Sequence, residues 1–440
     1  MPGSSDPEQG WKLHVAATVL TANTVLERLG PFLNASKILF KAPRTLQELS
    51  RLNSGLFYGY TQVGKCFTVY PASDQECVAL AERLHELTCD LATPSVPFDG
   101  RYREDSSVFY RYGSFKRRTT TNEDGSHTLA IVDPEGKLVS DSRKSTAPSW
   151  ANDPFQRSIN EELQTDASPL GKTLRVFRAM SQRGKGGIYH AADFSGPVPR
   201  FCVLKEGRKN GEVTFDGRDG YWRVKQEKKV LRRLQRHAVR VPEVYSSFEA
   251  DNNFYLVIEY IEGVSLERLL ARRKRRLPLQ PCLQLGIQVA QIVSKLHSAG
   301  WVWRDCKPAN LIITNAGELR PIDFEGACKV GARNPLVWGT QSFLPADFKD
   351  IEQQSQPATD LYALGVVIYY VLTGNFPAHE QPLSIEKLRR GVPSAVLRIV
   401  SELMSPNASR RPSAWSVAQR LTAVIASRER LDERYVLAGT

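Results

Sequence analysis

Asp305-Cys306-Lys307-Pro308-Ala309-Asn310, followed by Ile322-Asp323-Phe324-Glu325, constrains this chain more than any other stretch. The spacing is that of a phosphoryl-transfer site. Asp305 is placed to orient an attacking hydroxyl and accept its proton, Lys307 belongs to the same catalytic set, and Asn310 and Asp323 are placed to hold Mg²⁺ on nucleotide phosphates. Residues 311–313 and 319–322 read as two short strands that set these groups face to face. A lone D-x-K-P-x-N arises by chance; followed by a second Asp at this distance, it is specific.

The surrounding elements fall in the order of a protein kinase, and the second part of the chain resembles that fold. Phe201-Cys202-Val203-Leu204-Lys205 is an apolar strand ending in the lysine expected to grip the α/β-phosphates of ATP or another nucleoside triphosphate. Upstream, Gly184, Gly186 and Gly187 lie in a loop where bare backbone is expected to approach phosphates, although three glycines also make an ordinary hairpin. Glu227 lies within 222–234, whose apolar spacing suits a helix, and is the candidate for the ion pair that positions Lys205. Residues 254–260 read as a buried strand running into an acidic hinge with Glu259, Glu262 and Gly263; Glu259 is assigned to the nucleotide site. The helix beginning near Asp360 reads as the centre of the large lobe, with Arg411 near its end.

Composition bounds what else the chain does. Its 440 residues predict two or three domains, and 41% hydrophobic with 24% charged residues describes a globular protein. The seven cysteines form no C-x-x-C pair, which argues for reduced thiols and against a zinc site or disulfide framework. The polar N-terminus is no signal peptide, and the apolar run 366–372 is too short to span a bilayer, so a cytoplasmic protein without membrane partners is expected. The net charge of +12 gathers in clusters such as Lys116-Arg117-Arg118 and Arg272–Arg276, which lack interleaved aromatics. That argues against nucleic acid and for solvated faces or an acidic peptide partner.

Ahead of the kinase-like part, residues 1–165 read as a separate domain with linker, and 166–440 as the kinase-like domain. Strand-like segments 13–19, 37–40, 67–70 and 108–112 alternate with helical ones at 22–33, 45–52 and 74–87, giving an α+β class. Lys12 and His14 share one strand face; Lys41, Lys65, Arg101 and Arg111 lie at or near other strands. Together these cations suit an anion such as a phosphomonoester, while each alone reads as a surface charge.

The set G-W-K-L-H-V, L-F-K-A-P, L-N-S-G, G-K-C-F-T-V-Y-P and Y-R-Y-G-S-F resembles the N-terminal lyase domain of class III and class IV lanthipeptide synthetases, itself similar to phosphothreonine lyases. The resemblance covers residues 10–428 and includes I-D-F-E-G-A in place of D-F-G. It implies an enzyme that phosphorylates Ser and Thr of a ribosomally made precursor peptide and then eliminates phosphate to leave dehydroalanine or dehydrobutyrine; the basic clusters, Lys228-Lys229 and Arg232-Arg233 among them, add the expectation of an acidic leader on that peptide. It also implies Lys41 as the base for the α-proton, His14 as the acid for the departing phosphate, and Lys12, Lys65, Arg101 and Arg111 as phosphate ligands. The sequence holds no room for the ring-closing cyclase domain of that family; either a separate cyclase supplies it or the sequence is one part of a longer chain. Trp303 stands where kinases carry the histidine of H-R-D, and Leu344-Pro345-Ala346 departs from A-P-E, which leaves Asp347 as the expected partner of Arg411. Two alternatives stand beside this reading: a Ser/Thr kinase whose first domain docks substrates, and a pseudoenzyme.

Overall fold

A computed structural model describes residues 7–116, 118–121, 125–141, 147–155, 168–345, 354–377 and 384–438. The expected pairing of Asp347 with Arg411 lies outside them. The chain divides into two compact units, one formed by 1–225 and 246–257 and the other by 226–245 and 258–440.

The first unit opens with β1 (Gln9–Ala16), α1 (Ala22–Ala35), β2 (Leu39–Lys41), α2 (Leu46–Ser54), β3 (Lys65–Tyr70), α3 (Asp74–Thr88), β4 (Gly100–Arg101) and β5 (Val108–Ser114). Five strands form one sheet in the order β2-β3-β1-β5-β4. Alternation along them decides everything that follows. Leu13, Val15, Phe67, Val69 and Tyr110 face the helices, where Val25, Leu29, Leu33, Leu49, Leu80 and Leu84 complete a buried core. Lys12, His14, Thr68 and Arg111 therefore point to the other face. β1 ends at Ala16 rather than continuing to residue 19, because Thr18 Oγ1 accepts the backbone N–H groups of Leu20 and Thr21 and turns the chain into α1. Strands β6 (Thr119–Thr121), β7 (His127–Val132) and β8 (Leu138–Ser140) form a three-stranded sheet. It is tied to β1 by the Gln9 amide, which donates to and accepts from the backbone of Val132 at 2.7 Å each.

The same unit holds β9 (Leu174–Arg183), β10 (Gly186–Asp193) and β11 (Arg200–Gly207), the start of α4 (Gly220–Arg236), and most of β12 (Val244–Ala250) and β13 (Asn253–Glu259). These strands form a second five-stranded sheet in the order β12-β13-β11-β10-β9. The turn between β9 and β10 abuts the end of α2: the Gly184 N–H donates to the Ser54 carbonyl at 3.1 Å.

The second unit is mainly helical: β14 (Val264–Ser265), α5 (Leu266–Ala271), α6 (Leu279–Ser298), β15 (Trp301–Val302), β16 (Leu311–Ile313), β17 (Leu319–Pro321), β18 (Cys328–Lys329), α7 (Pro357–Thr373), α8 (Ile385–Leu388), α9 (Ser394–Leu403) and α10 (Ala414–Ala438). Residues 359–373 of α7 are buried without a break, so it is the central helix of this unit and carries no polar stripe. A mixed helix-and-sheet, α+β protein is the result. Among the described residues, no helix is long and apolar enough to cross a membrane.

Candidate functional site

In the second unit the β16–β17 hairpin does what its sequence spacing promised. Leu311 pairs with Pro321, and the Ile322 N–H donates to the Asn310 carbonyl at 2.9 Å, which brings Asn310 beside the residue preceding Asp323. Asp305 is buried. Its Oδ2 accepts from Asn310 Nδ2 at 2.8 Å and from Lys307 Nζ at 2.9 Å, and its Oδ1 accepts from Thr340 Oγ1 at 3.2 Å. Lys307 also donates to Thr340, at 3.0 Å. A carboxylate, an ammonium group and a hydroxyl thus converge on one point.

The loop carrying Asp305 is held from behind. Asp360, fully buried on α7, accepts from the backbone N–H groups of Trp303 (2.8 Å) and Arg304 (2.7 Å) and pairs with His297 Nε2 at 3.0 Å. Arg304 and Asp323 take left-handed backbone conformations, φ +69° and +63°, which non-glycine residues keep only where surrounding bonds enforce them. Trp303 fills the volume of the missing histidine: its Nε1 donates to the Asp323 carbonyl at 3.0 Å and its ring stacks on Phe324 at 5.5 Å. Glu227 is buried and accepts the Phe324 N–H at 3.0 Å. Glu259 is bound by Arg320 at 2.8 Å and by the Glu243 N–H at 3.1 Å, so its carboxylate braces the hinge. Arg411 donates to the carbonyls of Ala358 and Ser405.

Lys205 is buried on β11, opposite Ile188 of β10. The glycines before it are also closely packed within the protein. The Gly184 N–H is engaged by Ser54, and a Cβ there would stand 1.7 Å from the Asn53 carbonyl oxygen. At Gly186 it would stand 1.8 Å from the Glu206 carbonyl oxygen, and at Gly187 it would strike the Tyr189 ring. Close packing within the protein already requires glycine at these positions.

A second cluster lies on the open face of the first sheet. Strand pairing aligns Lys41 with Thr68, Thr68 with His14, His14 with Phe109, and Phe109 with Arg101, a single row across five strands. Lys12 pairs with Arg111 one step along. At Val15/Ala16 the register slips, so that Val15 faces Phe67 but Ala16 faces Lys65. This bulge re-aims Lys65, which simple alternation would leave on the core side with Phe67. Its Nζ reaches Asp99 Oδ1 at 3.1 Å, while Asp99 Oδ2 holds His14 Nδ1 at 2.5 Å. All three side chains are buried.

Asp99 lies two residues before Arg101 in the sequence. No periodicity marks it, because it ends an irregular segment after α3, in which Phe98 has φ +65°. The only sequence signal was its position just ahead of the cation-bearing strands. Burial, reinforced by Lys65, pushes the His14 imidazole down to about 3, while His14 and Lys65 draw the Asp99 carboxyl below its ordinary range despite its burial. Burial and the neighbouring Arg111 lower the Lys12 ammonium to about 7, with Lys41 and Lys65 adding to the effect. Lys12 Nζ donates to the Ser114 carbonyl at 2.7 Å. Arg111 is paired with buried Asp141 at 2.6 Å, and Arg101 donates to the Glu104 carbonyl and lies 4.9 Å above the Phe109 ring. A cavity of about 660 Å³ opens beside the cluster, lined by Lys41, Lys65 and Thr68 and by Leu52, Tyr58 and Glu48.

Residues 202–423 match the protein kinase domain, and residues 1–167 match the RamC N-terminal domain. A probable SapB synthase of Streptomyces coelicolor is 29% identical over 390 residues, covering 84% of this chain and 41% of that protein. Two Synechocystis relatives, serine/threonine-protein kinases F and D, are 33% and 28% identical, covering 46% and 57% of this chain and 44% and 52% of their own lengths. The chain thus spans about half the length of these relatives.

Proposed function

Because this chain belongs to the protein kinase family and carries a RamC-type N-terminal domain, we propose that it is a bifunctional peptide dehydratase, which phosphorylates Ser and Thr of a ribosomally made precursor peptide and then eliminates the phosphate. The observation that carries this reading is the buried Lys65–Asp99–His14 array at a cation-lined cavity, in a domain that precedes a kinase.

In the first step Asp305 orients the substrate hydroxyl and takes its proton, and Lys307 neutralises charge on the transferring phosphoryl group of ATP. Lys205 holds the nucleotide phosphates. The residues fit Mg²⁺: the Asn310 amide nitrogen is directed at Asp305, which leaves its Oδ1, with the Asp323 carboxylate, as hard oxygen donors. When bound, that ion neutralises phosphate charge.

In the second step Lys41, at the cavity, removes the α-proton; the electron pair forms the Cα–Cβ double bond and the Cβ–O bond breaks toward phosphate. Lys12, Lys65, Arg101 and Arg111 balance the anion. Asp99 fixes the His14 ring through Nδ1 and leaves Nε2 for the phosphate. In the free site His14 is neutral, and the incoming anion raises its affinity for the proton it then delivers. A specific observation favours a second assignment of the base: burial and Arg111 bring the Lys12 amine close to neutrality at working pH. Loss of elimination in Lys12→Ala with Lys41→Ala active would select it.

An acidic leader and a separate cyclase complete the proposal. Mass analysis of a Ser-rich peptide incubated with the protein, ATP and Mg²⁺ tests it. Net loss of one water per modified residue is the expected result. Gain of phosphate alone would reduce the protein to a kinase with a docking domain, and an unchanged mass would make it a pseudoenzyme.

A further inference from the structure

Residues 55–59 form an arch beside the candidate elimination site, bounded by two left-handed glycines, Gly55 (φ +71°) and Gly59 (φ +84°). It carries three consecutive large apolar side chains that are all substantially exposed: Leu56 at 54%, Phe57 at 67% and Tyr58 at 49%. The arch is anchored at both ends. The Ser54 carbonyl accepts the Gly184 N–H, and Arg208 lies 4.9 Å above the Tyr60 ring. Contiguous exposed apolar surface on an anchored segment marks a contact site.

Its position says what it contacts. Of the three, Tyr58 lines the same cavity as Lys41, Lys65 and Thr68, together with Leu52, so cationic and apolar side chains share that lining, with Leu56 and Phe57 next to Tyr58 along the arch. Its volume of about 660 Å³ exceeds what one phosphorylated side chain requires and lies in the range of whole-ligand pockets, roughly 300–1,000 Å³. Glu48 also lines it, its Oε2 fixed by the Arg44 N–H at 3.0 Å, and adds a negative charge that disfavours acidic groups in the cavity. Arg51 lies 5.5 Å over the Phe57 ring and supports it from the helix side.

We propose that residues 56–58 form a subsite for a bulky apolar side chain next to the phosphorylated Ser or Thr, so that elimination selects phosphopeptides with Leu-like flanks over those with acidic flanks. The inference rests on the lyase reading above. One apolar contact of this kind discriminates by about 10–200-fold.

The test uses the full-length protein without nucleotide and three synthetic phosphoserine peptides, identical except for Leu, Gly or Glu on both sides of the phosphoserine; phosphate release gives kcat and KM. The Leu peptide is expected to exceed the Glu peptide by at least tenfold in kcat/KM. Phe57→Ser is expected to raise KM for the Leu peptide several-fold with kcat unchanged, and to leave the Gly peptide as it was. Glu48→Gln, which keeps the contact to Arg44, should improve the Glu peptide selectively. Equal kcat/KM for all three peptides, or an equal loss on the Leu and Gly peptides in Phe57→Ser, would overturn the subsite while leaving elimination intact. Release from none of the three would overturn the lyase reading and the subsite with it.

Discussion

Arg304 precedes the candidate general base, and its guanidinium donates to the Leu336 backbone carbonyl and to the Gln354 side-chain Oε1, the latter at 2.8 Å. In kinases switched by loop phosphorylation this arginine takes the phosphate. Here neutral acceptors occupy it, and between Asp323 and Pro345 the only hydroxyl residues are Thr340, bonded to Lys307 and Asp305, and Ser342. Phosphatase-treated protein is therefore expected to keep its full phosphorylation rate; a large loss would refute this. His14 gives a prediction on stability. Its folded-state value, about 3, lies below its ordinary 6.5. Between those values the unfolded chain binds the proton and the folded chain does not, so stability falls as pH drops through this window. Asp99, also depressed, acts in the same direction but only below the ordinary carboxylate range. The drop in unfolding midpoint between pH 7 and pH 5 should be smaller in His14→Gln than in the parent protein; equal drops would contradict the buried neutral imidazole.

The β9–β10 turn carries a packing role alongside its glycine-rich composition. A glycine loop that closes on nucleotide would tolerate alanine in the free protein and lose only nucleotide affinity. With 1.7 Å between a Cβ at 184 and the Asn53 oxygen, Gly184→Ala should instead destabilise the first unit by about 1–3 kcal/mol. Gly196→Ala, whose Cβ would have its nearest neighbour at 3.9 Å, serves as the neutral control. Matching melting curves for the two variants would contradict the packing role of Gly184. The sequence was informative about elements whose signal is local: the hairpin β16–β17, the helices α1 and α3, and the helix carrying Glu227 all lie within a few residues of their expected positions. It was silent where register decides. No single strand says that Lys41, Thr68, His14, Phe109 and Arg101 share a row, or that a bulge at Val15/Ala16 turns Lys65 to Asp99. Asp141 gave no signal as the partner of Arg111, since an ion pair across 30 residues depends on how the β6-β7-β8 sheet sits against β5 and not on spacing.

For the molecule as a whole, the proposed dehydration puts two chemistries in one chain, with the phosphorylated peptide as product of one and substrate of the other. Asp305 and Asp323 belong to the second unit, Lys41 and His14 to the first. The SapB synthase relative extends well beyond the region matched here, so ring closure and leader recognition belong to the proposal. The serial claim is tested most directly by following peptide mass with Asp305→Asn and Lys41→Ala proteins. Asp305→Asn should leave unmodified peptide untouched yet still eliminate phosphate from a pre-phosphorylated peptide. Lys41→Ala should accumulate phosphopeptide, since losing a general base costs about 10²–10⁴-fold. Dehydration of unmodified peptide by Lys41→Ala at the parent rate would contradict the assignment of Lys41, and failure of Asp305→Asn to eliminate phosphate from the pre-phosphorylated peptide would contradict two sites acting in series.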